Sequence, residues 1–231
     1  MISVIVFAGI PDDAKWTTHL GLPKHLVPVG GQVLLQRTLR QIRCKDPNAS
    51  VSVVIPNGPC QPLYEAIVSL YARPIPSRYV NGDNGMEPFI NTQHLWNAKD
   101  RTIILMGDVY FTDQAIDTIW NYLGVFGHAA RLTASTVTGC PWGENFGASF
   151  LPSEHVRFEQ AIEDVDWGYR DKRLSRSYLW EVWQLMEGWA IEDVRVPPRL
   201  ERLRWHLDIA DDGTDDIDFP QDYDNLIARI H

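Results

Sequence analysis

Three short runs of apolar, mostly β-branched residues recur in the first half of the chain, at residues 2–8, 51–55 and 102–106. A glycine or proline follows each run directly, which is how a strand buried on both faces ends. The segments between the runs carry apolar residues at helical spacing, such as Leu35 and Leu39. Strands separated by helices predict crossover connections and a parallel sheet. We therefore expect a three-layer α/β fold, with helices on both faces of a mainly parallel, mixed sheet.

The remaining elements are predicted from periodicity and from turn residues. The polar stretch over residues 10–24 is expected to be an irregular loop. We expect further helices over residues 63–71, 88–98, 115–123 and 178–189 and from Pro220 to the end, and further strands over 78–80, 131–137, 147–151 and 203–209.

Composition excludes several classes of protein. With 21 basic and 30 acidic residues the formal net charge is -9, which argues against extended nucleic-acid binding. The three cysteines form no CxxC pair, so they indicate neither a zinc site nor a disulfide framework. No apolar run approaches the roughly 20 residues of a membrane span, and the short apolar start is typical of a strand. The sequence thus predicts a cytoplasmic protein without a membrane span.

Two features of the first loop suit a phosphate ligand. Gly9 directly follows the first apolar run, where a missing Cβ lets a ligand approach the backbone. Lys24, fixed by the preceding Pro23, adds a cation. Ligands of parallel sheets bind beyond the carboxyl ends of the strands. An ordinary surface loop with an exposed lysine explains the same residues equally well.

Carboxylates follow the third run and precede the last helix. Asp108 comes two residues after the run, and Asp216 and Asp218 alternate with Ile217, so a strand would point both side chains to one side. Neighbouring carboxylates repel one another unless a cation lies between them, and Mg²⁺ prefers oxygen ligands. The alternatives are a turn-forming Asp108 and an Asp218 that caps the last helix.

Taken together, these segments resemble a known family. FAG followed by GLPKHLVPVGGQVLLQRTL resembles the opening of the sugar-phosphate nucleotidyltransferases, and ILMGDVYF resembles their strand that ends in a metal-binding Asp. DDIDFPQDYDNLI resembles their late segment, which supplies a second metal ligand and enters the last helix. The resemblance covers about residues 1–44, 101–123 and 212–230.

The resemblance implies a GT-A-like fold in one domain, with a nucleotide-binding half (1–137) and an acceptor-binding half (138–231). A small phosphorylated acceptor would attack the α-phosphate of an NTP and release pyrophosphate. Mg²⁺ or Mn²⁺ would be held by Asp108 with Asp216 or Asp218, and Lys24 would hold a phosphate. The oligomeric state stays open. The resemblance assigns nucleotide contacts to Ala8, Gly9, Ile10, Lys15 and Gly85.

The first loop departs from the family pattern. It carries Asp12 and Asp13 and lacks the family's arginine, which Lys15 could replace. A GT-A glycosyltransferase with a nucleotide-diphospho-sugar donor and a non-catalytic nucleotide-binding protein therefore remain as alternatives. Phe219 stands where the family has a helix-capping Thr, so Asp218 could cap the helix and leave the metal to Asp216. Asp208 is a second candidate for the late metal ligand.

Two expectations can be checked directly by geometry. One shared ion requires Asp108 to lie within about 10 Å of a late carboxylate, because its oxygen ligands stand at about 2 Å. A local basic cluster is either a solvated face or a contact for the acceptor phosphate. The cluster consists of Arg170, Lys172, Arg173 and Arg176.

Overall fold

The computed structural model describes residues 1–9, 14–77, 84–194, 204–209 and 212–230. Its first half contains β1 (Ser3–Phe7), α1 (Ala14–Leu20), β2 (Pro28–Val29), β3 (Gln32–Val33), α2 (Leu34–Lys45), β4 (Ser50–Ile55), α3 (Gln61–Val68), β5 (Arg73–Pro76), α4 (Glu87–Thr92), β6 (Thr102–Met106), β7 (Val109–Tyr110) and α5 (Asp113–Trp120). Its second half contains β8 (Phe126–Arg131), β9 (Glu144–Phe150), α6 (His155–Arg170), α7 (Leu179–Met186), β10 (His206–Asp208), β11 (Asp215–Asp216) and α8 (Pro220–Ile230).

Seven of these strands form the central sheet, in the order β10-β8-β9-β6-β1-β4-β5. β1 pairs in parallel with both β4 and β6, and β10 pairs in parallel with β8. β9 is antiparallel to its neighbours β6 and β8, so β8 and β10 run in the same direction as β6. The carboxyl ends of β1, β4, β6, β8 and β10 and the start of β9 therefore share one edge of the sheet.

Alternation along the central strand divides the core into two layers. Val4 and Val6 of β1 point into one cluster of buried side chains, which α2, α3 and α5 complete. Ile5 and Phe7 point into the other, which α4, α6 and α7 complete. Period-two alternation on a strand buried on both faces produces this division. The expected three-layer α/β architecture is confirmed.

A smaller third cluster joins the two ends of the chain. Trp16 of α1 is fully buried and packs edge-on against Tyr223 of α8, with ring centroids 6.1 Å apart. Leu34 and Ile217 lie in the same cluster. This packing fixes the last helix beside the segment that carries Lys24.

The strongest periodic signals predicted their elements well. β1, β4 and β6 coincide with the three apolar runs, α2 buries Leu35 and Leu39, and α8 begins at Pro220 as expected. The helix predicted over 88–98 is α4 followed by a 3-10 turn at Gln93–Leu95. The strand predicted over 78–80 lies outside the described residues.

Other predictions were wrong or incomplete. The strand predicted over 131–137 instead ends at Arg131, and α1 lies within the segment expected to be an irregular loop. Leu123, the last residue of the helix predicted over 115–123, lies beyond α5 and is 91% exposed. α6 was not predicted, because Val156 and Trp167 on its outer face are exposed and blur its apolar stripe.

None of the helices in the described part of the chain is long and apolar enough to cross a membrane.

Candidate active site at the carboxyl edge of the sheet

A close backbone approach at Gly107 places Asp108 beside the end of β1. The Gly107 amide donates to the Phe7 carbonyl at 2.8 Å. A Cβ at residue 107 would lie 2.7 Å from that carbonyl oxygen, closer than carbon and oxygen tolerate. Glycine is therefore required there, and the chain turns so that Asp108 leaves the sheet at the carboxyl edge, where ligands of such sheets bind.

Lys24 lies between two carboxylates from distant parts of the sequence. Its ammonium is 2.5 Å from Oδ2 of Asp108 and 3.1 Å from Oδ1 of Asp218. The Lys24 and Asp108 side chains are only 10% and 13% exposed, whereas Asp218 is 53% exposed. Because both carboxylates contact one nitrogen, they lie within about 6 Å of each other, close enough for a shared ion.

Lys24 and Asp108 keep each other charged. Burial opposes protonation of Lys24, but Asp108 and Asp218 outweigh it and raise the pKa of Lys24 above its ordinary value. Burial would also raise the pKa of Asp108, yet Lys24 lowers it below its usual range. At neutral pH the structure therefore contains a buried, fully ionised pair.

The neighbouring histidine does not add a second cation. His25 is 1% exposed, and its Nδ1 lies 3.0 Å from the Tyr64 hydroxyl. Burial lowers the pKa of His25 to about 4, so the ring is neutral at pH 7. Lys24 is thus the cation of this pair of adjacent residues.

The short strand β11 adds Asp216 to the site. Asp216 is the register partner of Val109 in β7, and the Ile217 amide donates to the Asp108 carbonyl at 3.2 Å. Burial, together with repulsion from Asp218, Glu144 and Asp108, raises the pKa of Asp216 well above its ordinary value. Acidic side chains thus surround Asp216, and a cation bound among them would favour its ionised form.

Glu144, which was not predicted from the sequence, lies where β9 starts at the same edge. The Cys140 thiol donates to Glu144 Oε1 at 3.0 Å. Burial, with repulsion from Asp218 and Asp215, raises the pKa of Glu144 to about 7. Only the antiparallel course of β9 brings this residue to the edge, and nothing in the sequence indicated that direction.

The described carboxylates suit a divalent ion that also binds substrate. Among the described residues, no group of three or more His, Cys, Asp or Glu side chains is arranged to hold a metal by itself. Mg²⁺ in phosphate-binding sites takes one or two protein carboxylates and completes its shell with water and substrate phosphate. Asp108 and Asp216, with Asp218 and Glu144 nearby, match that smaller requirement.

The structure constrains the predicted nucleotide contacts. The Ala8 amide donates to the Val54 carbonyl at 2.9 Å, and the Gly85 amide donates to Ser177 Oγ at 3.0 Å, so both amides are engaged within the protein. Gly9 is buried at the end of β1. Ile10, together with Asp12 and Asp13, lies outside the described residues, and the structure describes Lys15 only as part of α1.

The structure separates Asp208 from the other candidates. Asp208 ends β10, which is three interstrand spacings of about 4.8 Å from β6. That separation is too large for an ion shared with Asp108. Asp218 contacts Lys24. Phe219 directly precedes α8, and its carbonyl accepts a hydrogen bond from the Tyr223 amide. Asp216 and Asp218, rather than Asp208, therefore accompany Asp108.

The basic cluster of the second half is largely paired with local acids. Its arginines form three ion pairs, which join Arg170 to Asp166, Arg173 to Asp171 and Arg176 to Glu181. Lys172 occupies a left-handed turn position, with φ 61°. These pairs favour a solvated, locally neutralised surface over a contact for the acceptor phosphate.

Solved structures share this fold across the whole chain. CTP:phosphocholine cytidylyltransferase from Streptococcus pneumoniae is 13% identical, with a TM-score of 0.63 and coverage of 100% of this chain and 99% of that one. 4-Diphosphocytidyl-2C-methyl-D-erythritol synthase from Anaerococcus prevotii is 12% identical, with a TM-score of 0.60 and coverage of 100% and 98%. A nucleoside-diphosphate-sugar pyrophosphorylase from Vibrio cholerae is 11% identical, with a TM-score of 0.63 and coverage of 99% and 100%.

No protein-family model matches the chain, and no curated protein matches its sequence. The structural likeness confirms the predicted fold, which is that of solved nucleotidyltransferases. At these identities it establishes the fold alone.

Proposed function

We propose that this protein is a Mg²⁺-dependent nucleotidyltransferase that transfers an NMP from an NTP to a small phosphorylated acceptor. The observation that carries the proposal is the meeting of Lys24, Asp108 and Asp218 at the carboxyl edge of the sheet. The first two come from the half assigned to the nucleotide and the third from the half assigned to the acceptor. The solved structures with this fold include two enzymes named for cytidylyl chemistry.

The chemistry requires charge neutralisation rather than a covalent nucleophile on the protein. A phosphate oxygen of the acceptor forms a bond to the α-phosphorus, and the bond from that phosphorus to the pyrophosphate oxygen breaks. Negative charge then develops on the transferred phosphoryl group and on the leaving group. A divalent ion, when bound, neutralises part of that charge.

The residues of this chain supply the remaining parts. Asp108 and Asp216 would hold the ion, with Asp218 as the more exposed third carboxylate. The ammonium of Lys24 stays protonated and would orient a phosphate and stabilise its developing charge. The backbone around Ala8 and Gly9 and the segments with Ile10, Lys15 and Gly85 would contact the nucleotide.

The test is pyrophosphate release from each of the four NTPs, with Mg²⁺ or Mn²⁺ and a panel of sugar phosphates and phosphorylated amino alcohols. We expect release with at least one pair that requires both the acceptor and the metal. Lys24→Met should abolish pyrophosphate release. Lys99 is an exposed lysine at the opposite edge of the sheet, so Lys99→Met should leave the release unchanged. Absence of release across the whole panel contradicts the proposal.

A thermal-shift series separates this activity from its alternatives. A protein that uses NTPs is stabilised by NTP with Mg²⁺, because a ligand that binds only the folded state raises the melting temperature. Stabilisation by nucleotide-diphospho-sugars but not by NTPs would instead indicate a glycosyltransferase on the same fold. Stabilisation by a nucleotide without turnover would indicate a binding protein.

A further inference from the structure

Asp215, next to the proposed metal ligand Asp216, has an entirely internal role in the structure. It is fully buried, and its carboxylate accepts four hydrogen bonds. Oδ1 accepts from Arg131 at 2.7 Å and from the Asp216 amide at 3.2 Å. Oδ2 accepts from Ser135 and from Thr138, the latter at 2.7 Å. These four bonds use the lone-pair positions of the carboxylate, so Asp215 is not available as a ligand.

The side-chain partners of Asp215 lie in the central sheet and in the loop between β8 and β9, and one of them connects to the last helix. Arg131 is the last residue of β8 and is 1% exposed, so it belongs to the central sheet. Ser135 and Thr138 are buried in the loop between β8 and β9. The Thr138 carbonyl also accepts the Asn225 side chain of α8 at 2.6 Å. Asp215 therefore joins β11 to the sheet, to this loop and, through Thr138, to the last helix.

β11 depends on such an anchor because its own pairing is minimal. It has two residues and pairs only with the two-residue strand β7, outside the central sheet. An isolated pair of strands this short is not stable by itself in water. The network at Asp215 supplies the hydrogen bonds to the sheet and to the loop between β8 and β9 that this short pair lacks.

We propose that Asp215 is the positioning residue of the metal site: its bonds to Arg131, Ser135 and Thr138 hold β11 against β7, which keeps Asp216 beside the Asp108 segment before any ligand binds. This inference rests on the proposed function, because it takes Asp108 and Asp216 as metal ligands. Groups that orient metal ligands through hydrogen bonds commonly change metal affinity ten- to a hundredfold when removed. The network also makes the loop between β8 and β9 a structural support of the site.

Direct Mn²⁺ titration of the protein without nucleotide, followed by the electron paramagnetic resonance of the free ion, tests the inference. We expect Asp215→Asn to weaken Mn²⁺ binding about tenfold or more. Ser135→Ala and Thr138→Val each remove one donor and should weaken Mn²⁺ binding about two- to fivefold. The matched control is Ser149→Ala, which removes a buried hydroxyl that accepts from Arg101 at 2.9 Å at the far end of β9. It should leave Mn²⁺ affinity unchanged.

Amide hydrogen exchange of Ile217 provides a second measurement that needs no metal. Its N–H bonds the Asp108 carbonyl and so reports directly on the attachment of β11 to the segment after β6. In Asp215→Asn we expect this amide to exchange at least about tenfold faster, while the amides of β1 keep their rates. If Asp215→Asn does not fold, Ser135→Ala and Thr138→Val carry both measurements.

The outcomes distinguish this inference from the proposed function. The positioning role is overturned if Asp215→Asn has the same Mn²⁺ affinity and the same Ile217 exchange rate as Ser149→Ala. This holds even if the enzyme releases pyrophosphate. Mn²⁺ binding that Asp108→Asn does not weaken would overturn the metal assignment, and the metal-centred inference with it. If the Ile217 amide of Asp215→Asn also exchanges at the wild-type rate, Asp215 is excluded as the anchor of β11 as well.

Discussion

Replacing Lys24 by Met tests the central ion pair, because Met keeps most of the side-chain volume and removes the charged ammonium with its hydrogen bonds. At 2.5 Å and an effective dielectric constant of about 20, the attraction between Lys24 and Asp108 is about 7 kcal/mol before desolvation. Removing one partner of a buried pair costs about 3 to 5 kcal/mol in measured cases, since the other charge stays buried. We expect Lys24→Met to lose about 4 kcal/mol of unfolding free energy at pH 7.

The pH dependence of this loss has a definite sign. In the wild type the folded-state pKa of Asp108 lies below its unfolded value. The pair therefore stabilises the protein above about pH 4 and loses that contribution as the pH falls through the folded-state pKa. In Lys24→Met, burial raises the pKa of Asp108, so the carboxyl can protonate and relieve the penalty. The difference between the two proteins should be largest at neutral pH. It should shrink first as the pH falls through the raised pKa of Asp108 in Lys24→Met, and further below about pH 4, where the wild-type pair is lost.

Urea unfolding followed by tryptophan fluorescence measures both quantities, with Lys99→Met as the control for loss of a lysine. The double variant Lys24→Met/Asp108→Asn should be less destabilised than the sum of the single variants, with a coupling free energy of about 1.5 kcal/mol or more. A coupling below about 0.5 kcal/mol would refute the reasoning. So would a loss in Lys24→Met no larger than that of the exposed control.

Three further predictions follow from the site. Asp108→Asn should lower kcat for pyrophosphate release about a hundredfold or more in a saturating-substrate assay, because it removes charge from the proposed metal ligand. Glu144 has a folded-state pKa of about 7, above its unfolded value, so its stabilising contribution is full at low pH and is lost as the pH rises through 7. Glu144→Gln should therefore be roughly 3 kcal/mol more stable than the wild type at pH 8 and equal to it near pH 4 in urea titrations. Gly107→Ala should cost about 2 kcal/mol because its Cβ would strike the Phe7 carbonyl, whereas Gly58→Ala, with open space around it, should cost less than about 0.5 kcal/mol by thermal unfolding.

The parts of the fold that the sequence predicts are those in which local pattern and tertiary environment agree. β1, β4 and β6 are buried on both faces, so each is a continuous apolar run. α2 and α8 carry a clear apolar stripe and were predicted for the same reason. By contrast, β8 contains Gly127 and His128, which are poor strand formers, and becomes a strand because its neighbours pair with it.

The candidate site was predictable only in part for a related reason. Residue types and motif order indicated Lys24, Asp108, Asp216 and Asp218, and the structure brings these four to one edge. Glu144 could not be found in this way, because its place depends on the antiparallel insertion of β9 between β6 and β8. Sequence spacing carries no information about strand direction at that point. The anchoring role of Asp215 was hidden in the same manner, since its partners lie 77 to 84 residues away.

The position of Lys24 explains how so acidic a site can be stable without a ligand. Its ammonium neutralises Asp108 and partly neutralises Asp218, which a divalent ion would otherwise have to do. If the proposed function holds, an ion that enters with the nucleotide takes over these carboxylates and frees the lysine to bind phosphate. One cation then replaces another at the carboxylates, so substrate binding leaves no buried charge unpaired. An unpaired buried charge is the costly outcome that an acidic site must avoid. The same lysine thus stabilises the free protein and would bind phosphate in the complex, which is why its removal should affect both stability and turnover.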